Sequence, residues 1–440
     1  MRITVPGPEP RGTDLDAVDL LDGSLYTDGD PHAVWTDMRR RAPVHQQVVP
    51  DGRAFWSVTR YRDVNDVLRD HTRFTSRRGT LLSVLGAEDP AADKMMAASD
   101  PPVHSMMREP MNKVLSHRSL VSRGPGIRRV VHRLLAPLLD GGVWDAGRAG
   151  AGFPMAFTGT LMGLPEADWP QLTRLTTTAI APDDVDYRHS EGHGTLTAAH
   201  HELFSYFSAV VRRRIRFGGP GPEEDLIDFL IRMESGNRRL HHDEIVYNCY
   251  SLLLGANVTT PHALAGTVQA LIDHPGEYRR LTADPSLVGS CVEEGLRWTS
   301  PANHFMRHAV KDTEVAGTLV REGDAVVAWL GSANRDERVF PDPFRFDITR
   351  TPNRHVAFGF GPHYCIGAPL ARIALQLAFT EIAELVEEFR SAGPVEHLAS
   401  NFVAGVKSMP VTARLRPGAA PVLSRALASA GPIPLSTDRR

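Results

Sequence analysis

The sequence predicts a mainly α protein with a smaller β region, an α+β fold, and three observations carry that reading. Asp243 through Ile272 is one periodic apolar stretch, long enough for a helix that crosses a whole domain. Residues 118 to 217 hold apolar positions at helical period, broken at Gly124–Pro125, Gly141–Gly142, Gly163–Leu164–Pro165 and the polar run Pro182 to Gly194. Strand-like alternation appears in a short run, Phe55–Thr59.

Composition narrows the class. With 42% hydrophobic and 23% charged residues among 440, the chain has the make-up of a water-soluble globular protein with a sizeable core. Its net charge of −3 gives no sign of nucleic-acid binding. Cys249, Cys291 and Cys365 are too few and too scattered for a disulfide framework and point to a reducing cytosol. Residues 1–50 are rich in Pro, Asp and Arg, with no apolar run fit to span a bilayer or act as a signal peptide, so a cytoplasmic protein with no membrane partner is expected.

Taken in order, Asp30–Pro31 opens a short amphipathic helix to Arg41. The Phe55–Thr59 strand leads through Tyr61–Arg62–Asp63 into a second helix, with Val64, Val67 and Leu68 at helical period. Thr75 to Ser99 is longer than a normal connection, of a kind that is often functional, and centres on Leu81–Leu85. Asp100–Pro101–Pro102–Val103–His104 starts a helix on which Arg108 follows His104 by one turn. The two share a face, either a solvated one or one that meets an anion. His189, His193, His200 and His201 lack the Cys or Glu partners of a metal site and read as loop and helix histidines. Glu223–Glu224–Asp225–Leu226 restarts a helix with negative charge in its first turn.

In the middle of the long apolar helix stands Gly255–Ala256–Asn257–Val258–Thr259–Thr260. Pro261 follows with no N–H to give, so a carbonyl is left unpaired and a local kink is expected. Glu294 and Arg297 are neighbours on a later helix, a spacing that alone marks only an ordinary ion pair. Pro301 to Arg307 is expected to form a strand. Phe358–Gly367 then sets Cys365 after a Gly/Pro-punctuated loop and just before Ala368–Gln376, the opening of an amphipathic helix. The positive end of that helix and its unpaired N–H groups favour thiolate. Gly359, Gly361 and Gly367 let the backbone bend sharply and approach a flat ligand. A single thiolate cannot complete a four-ligand zinc or iron–sulfur site, but it can be the axial ligand of haem iron. The other reading of a lone cysteine is a buried structural thiol. The tail 417–440, with four prolines, is expected to be poorly ordered.

Phe358, Gly359, Gly361, His363, Cys365 and Gly367 fill an F-G-x-G-x-H-x-C-x-G loop, and in this the chain resembles the cytochrome P450 family. The resemblance covers roughly residues 15 to 416, dense after 240. It implies a single domain over 1–416, with haem b (iron protoporphyrin IX) held between the long central helix and the Cys365 loop. It implies Cys365 as the axial iron ligand and His104, Arg108, Arg307 and His363 as partners of the haem propionates. Phe358, Gly359, Ala256 and Gly367 are then residues that lie against the cofactor. Thr259 matches the threonine that helps deliver protons to dioxygen, whereas Val258 stands where the family has an acid. Waters held by Thr259 and Asn257, a polar group of the substrate, or a peroxide-driven or coupling chemistry would each account for that departure. Glu294, Arg297 and Arg345 match the family's buried triad. By analogy the substrate pocket takes Leu82, Val84, Leu254, Val258, Ala302, Asn303, Phe305, Phe402 and Val403, and Pro182 to Gly194 resembles the mobile lid.

The activity so implied is that of a soluble bacterial-type haem-thiolate monooxygenase. It would oxidise a small to medium organic substrate of secondary metabolism with dioxygen. Electrons would come from a ferredoxin and ferredoxin reductase, docked near Arg108, Arg354 and Arg372. The alternatives are a peroxygenase or coupling or rearrangement catalyst of the same family, and a non-catalytic haem-binding protein.

Overall fold

A computed structural model describes residues 12–121, 123–189, 193–221, 224–431 and 433. Its longer helices are α1 (Pro31–Arg41), α2 (Tyr61–Arg69), α3 (Val103–Val114), α4 (Gly124–Leu135), α5 (Ala146–Leu161), α6 (Trp169–Ile180) and α7 (His193–Phe217). They continue with α8 (His242–Asn257), α9 (Thr260–Asp273), α10 (Pro275–Ala283), α11 (Val288–Thr299), α12 (Ala368–Leu385) and α13 (Ala419–Ala430). The strands that matter here are β1 (Val44–Val48), β2 (Ala54–Val58), β3 (Phe74–Thr75), β4 (Trp144–Asp145), β5 (His304–Ala309), β6 (Ala325–Trp329), β7 (Val386–Ser391) and β8 (Pro410–Leu415).

Helix starts follow the local chemistry. Asp30 accepts from the Ala33 N–H at 3.1 Å while Pro31, with no N–H to waste, takes the first helical position of α1. Asp145 accepts from the Arg148 N–H at 3.0 Å and begins α5. Asp225 does the same for a short helix, Leu226–Arg232, two residues after the described chain resumes; Glu223 lies outside the described residues.

β1–β2–β6–β5–β3 form a five-stranded sheet in that order, with β2 and β6 parallel and the other pairs antiparallel. Every residue of β6, Ala-Val-Val-Ala-Trp, is buried, as expected of a central strand covered on both faces. β7, β8 and β4 make a smaller antiparallel sheet. The main apolar core lies among α4 to α12, and a second cluster joins the sheet to the region of Val258 and Phe402.

The structure departs from two expectations. The stretch 243–272 is not one helix but α8 and α9, separated at Val258–Thr259, where Thr259 has φ −120° and ψ −48°. An uninterrupted helix would need an N–H from Pro261 to Asn257, which proline lacks. The Thr259 hydroxyl, moreover, donates to the Gly255 carbonyl at 2.9 Å. The tail also differs: Ala419–Ala430 is helical, with Ala419 and Leu423 buried against α4. Pro421 falls in the first turn of α13, where a missing N–H costs nothing, so tertiary burial overrides a disorder-like composition. Residues 432 and 434–440 of the tail, and 190–192 of the lid-like run, lie outside the described residues.

Candidate active site

The cysteine loop is shaped by backbone that only glycine adopts without strain. Gly359 and Gly361 have φ of 72° and 73°. A Cβ on Gly361 would come within 2.7 Å of the Arg69 Cα and 2.8 Å of the Leu68 carbonyl, so this glycine also permits the loop to lie on the end of α2. The Cys365 N–H donates to the Phe358 carbonyl at 2.8 Å and closes the loop. Cys365 is half-buried directly before α12, and α12 packs against α9 and α11. Burial raises its thiol pKa, while the N–H groups of Gly367 and Ala368 and the charges of Arg108 and Arg372 pull the other way. Cys249 and Cys291 are the contrast: they are fully buried and held as thiols by desolvation, so they are structural.

Beside this loop four cation-capable side chains converge. The His104 and His363 rings lie 4.3 Å apart, and the His363 Nε2 meets the Ser76 hydroxyl at 3.1 Å. Arg307, 3% exposed, donates among the described residues only to the neighbouring Met306 carbonyl at 2.8 Å, and Arg108 donates to the Tyr364 carbonyl at 2.5 Å. Burial, then Arg108, lowers His104 to about 4; burial, then Arg307, His104 and Arg108, lowers His363 to about 2. Burial lowers even Arg307, to about 10. The adjacent carboxylate, Asp100, is engaged by the Thr75 hydroxyl and the Ser76 N–H. Both ring nitrogens of His104 are buried without a partner among the described residues. Two guanidiniums beside two imidazoles that burial holds neutral, one of them with both ring nitrogens orphaned, fit an anion of more than one carboxylate, which the two propionates of a haem supply.

On the helical side, a Cβ at Gly255 would meet nothing within 4 Å, and Ala256 is half-buried. The helix break therefore presents small residues to open space, as a flat cofactor requires. Thr259 sits at that break with its hydroxyl on Gly255. Asn257 does not join Thr259, against expectation. It is turned to α5, its Nδ2 3.2 Å from the Met155 Sδ, because two residues along a helix is more than half a turn away. Val258 is 2% exposed in the apolar cluster that holds Ile180, Ala181, Ala302, Phe402 and Val403, with Leu254 and Phe305 packed on it.

Six of the expected pocket residues thus fall in one cluster, fixed by the Ala302–Val403 bridge and the Phe305–Phe402 ring pair at 5.9 Å. Leu82 and Phe402 line a cleft of about 240 Å³, together with Leu81, Ile180 and Leu196. Two expected residues are elsewhere. Val84 packs beneath Gly79 with the N-terminal cluster, and Asn303, fully buried, spends its amide on the Asn401 carbonyl at 3.1 Å. Sequence reasoning missed two fastenings of the cleft. His304 accepts from the Leu82 N–H at 3.3 Å and meets the Asn401 carbonyl at 3.3 Å. Buried Asp184 is held by Lys407 at 3.2 Å and by the Ala399 N–H at 3.0 Å. Both join residues distant in sequence, which no local pattern reveals.

Residues 175–392 match the cytochrome P450 family model. The chain is 31% identical over 407 residues to cytochrome P450 NovI of Streptomyces niveus, covering 92% of this chain and 98% of that protein. The chain belongs to the cytochrome P450 family. A second relative, the cyclomarin C epoxidase CymV of Salinispora arenicola, is 31% identical, with 87% of this P450 and 96% of CymV covered. Among solved structures, P450 OxyD, involved in the biosynthesis of vancomycin-type antibiotics, superposes with a TM-score of 0.80 at 33% identity. It covers 91% of this chain and 100% of OxyD. The protein is a bacterial-type haem monooxygenase, an oxidoreductase, and no helix among its described residues is long and apolar enough to cross a membrane.

The P450 frame corrects one further expectation. Glu294 and Arg297 are fully buried and paired at 2.8 and 2.9 Å. The third member is Arg350, whose Nε lies 3.2 Å from Glu294 and which also donates to the carbonyls of Pro341, Asp342 and Arg345. Arg345 is exposed and enters only through its backbone carbonyl. Nearby, Arg372 stacks over the Phe358 ring at 4.5 Å and pairs with Glu293 at 2.7 Å, so its charge is already matched. Arg354, by contrast, is exposed.

Proposed function

We propose that this P450 oxidises a small to medium organic substrate of secondary metabolism, taking electrons from a ferredoxin and its reductase in the cytoplasm. Its cofactor in this reading is haem b, with Cys365 as axial ligand. The reading is supported most by one juxtaposition: the Cys365 loop at the start of α12 beside the partnerless, buried His104 and the guanidinium of Arg307. The likeness to OxyD and CymV, whose names place them in antibiotic biosynthesis and in epoxidation of cyclomarin C, supports the metabolic class.

When bound, the haem supplies a redox-active iron at which dioxygen is activated for insertion into a substrate bond. The chain's residues do the rest. Cys365 holds the iron from the α12 side. Arg108 and Arg307 would balance the propionate charge, and His104 and His363 would hydrogen-bond to the same groups. Gly255 and Ala256 would leave room for the cofactor on the helix side, and Phe358, Gly359 and Gly367 would shape the loop that receives it. The Thr259 hydroxyl holds a proton on the Gly255 carbonyl at 2.9 Å, a donor that can be turned towards the cavity. Val258, Ala302, Phe402 and Val403 exclude water and bind the apolar part of the substrate. Exposed Arg354 offers positive charge to an acidic ferredoxin, whereas Arg108 is taken up by the propionates.

The test is spectroscopic first. The reduced, carbon-monoxide-treated protein is expected to show a thiolate-ligated haem spectrum that Cys365→Ser abolishes; an unaltered spectrum in that variant refutes the assignment. Product formation with ferredoxin and reductase is then compared with that driven by hydrogen peroxide alone. Turnover with peroxide and none with the electron-transfer pair would replace the monooxygenase partners proposed here with peroxide.

A further inference from the structure

Outside the substrate cleft lies a second cavity, of about 410 Å³, between α4, α5, the start of α12 at Leu370 and the terminal helix α13. That volume is within the range of about 300–1,000 Å³ typical of small-molecule pockets. Part of its wall is apolar: Val130 from α4, Phe157 and Leu161 from α5, and Trp169 at the start of α6 are all at least nine-tenths buried. Ala426 and Ser429 supply the wall on the α13 side. The cavity therefore depends on the helix that the composition of the tail concealed.

Its polar lining is one-sided. Arg123, Arg129 and Arg133 face it against a single carboxylate, Glu166. Arg133 is spoken for, paired with Glu166 at 2.7 Å and donating to the Gly431 carbonyl at 2.8 Å. The neighbouring Arg128 is taken by Glu381 at 2.6 Å. Arg123 and Arg129 are exposed, and among the described residues neither guanidinium has an ion-pair or hydrogen-bond partner. A void lined by Trp and Phe forfeits dispersion contacts on its open side, and the two unmatched guanidiniums leave a positive edge without a counter-charge. An apolar body carrying one anionic head relieves both.

We propose that this cavity is a binding site for a medium-chain apolar carboxylate, its alkyl chain against Trp169 and Phe157 and its carboxylate between Arg123 and Arg129. The site is separate from that of the monooxygenase reaction and does not rest on the assignment of that reaction.

Decanoate is the probe, added to the haem-loaded full chain, and Trp169 is the reporter. Saturable quenching of tryptophan emission is expected, with the haem absorption bands unchanged. Trp169→Phe should remove the change. The double variant Arg123→Gln/Arg129→Gln alters only exposed side chains and should keep the parent's circular dichroism. It should weaken decanoate at least tenfold, and decanol should bind the parent at least tenfold more weakly than decanoate. Raising the salt concentration should weaken decanoate and leave decanol unmoved. The proposal is overturned if decanoate does not bind at millimolar concentration, or if binding shifts the haem bands with equal affinity in parent and double variant, which would put the ligand in the haem cavity. Equal affinities for decanol and decanoate overturn it as well.

Discussion

Arg350→Met should destabilise the protein by about 3–5 kcal/mol, whereas Arg345→Ala should leave it within about 0.5 kcal/mol. The difference comes from what each guanidinium touches. Arg350 meets Glu294, itself fully buried, at 3.2 Å and donates to three carbonyls between Pro341 and Arg345 at 2.7, 3.1 and 2.8 Å. Removing it strands part of a buried carboxylate's charge. Arg297 remains on Glu294, as do the Asp347 N–H at 3.0 Å and the Asn353 amide at 3.1 Å, which holds the loss near the lower end of that range. Met keeps much of the stem's volume, so the change reports charge and hydrogen bonding more than packing. Arg345 offers the frame a carbonyl that its replacement by alanine retains. The assay is urea denaturation of the haem-loaded protein, followed in parallel by far-ultraviolet dichroism and haem absorption. Because the 341–350 segment precedes the cysteine loop, the Arg350 variant should also release haem at lower urea than the parent. Equal destabilisation by the two substitutions, or none by Arg350→Met, would refute the assignment of Arg350 as the third member of the network.

Thr259→Ala removes the hydroxyl bonded to Gly255 and should cost about 1 kcal/mol of stability, while raising the peroxide released per reductant consumed; both are measurable in the reconstituted system. Val258→Asp places a carboxyl in an apolar cluster at 2% exposure and should destabilise by about 1–3 kcal/mol, less at low pH, where the group is protonated; chemical denaturation at two pH values checks this. Although burial raises the Glu293 pKa, Arg372 and then His355 outweigh it and bring it to about 2. The folded value lies below the unfolded one, so this group's stabilisation is complete above about pH 4.5 and is lost as the pH falls towards 2. It amounts to at most about 3 kcal/mol, and Glu293→Gln should flatten that part of a stability–pH curve. Lys407→Met leaves Asp184 buried without its cation, so ligand entry to the cleft, followed by stopped-flow absorption, should quicken while affinity falls.

What could be read from the sequence was local. The Cys365 loop needs glycines where φ is positive and a thiol where a helix begins, and both conditions are written within ten residues. The break at Val258–Thr259 was half-visible through Pro261, but its extent depended on where the Thr259 hydroxyl turned. Arg345 and Arg350 lie in the same irregular segment, and it is Arg350 that reaches Glu294. No periodicity operates there. Similarly, α13 owes its existence to burial of Ala419 and Leu423 on a helix far earlier in the chain, a tertiary contact that composition cannot register.

The valine at 258 follows from its surroundings. An acid at that position can relay protons only if water or a charged partner solvates it, and here Ile180, Ala181, Phe402 and Val403 share its cluster. The surroundings and the side chain are matched, so restoring the acid alone would create a group held neutral by its neighbours, able neither to ionise nor to pass a proton on. Asn257 is turned away from Thr259, with its Nδ2 on the Met155 sulfur of α5. In the reading proposed above, the side-chain proton donor at the helix break is then the Thr259 hydroxyl, which lies on the Gly255 carbonyl beside open space. Any further polarity there must arrive with the substrate. A substrate stripped of its polar groups should therefore bind in the apolar cluster as before yet divert more reducing equivalents to peroxide, an effect that Val258→Asp would not repair.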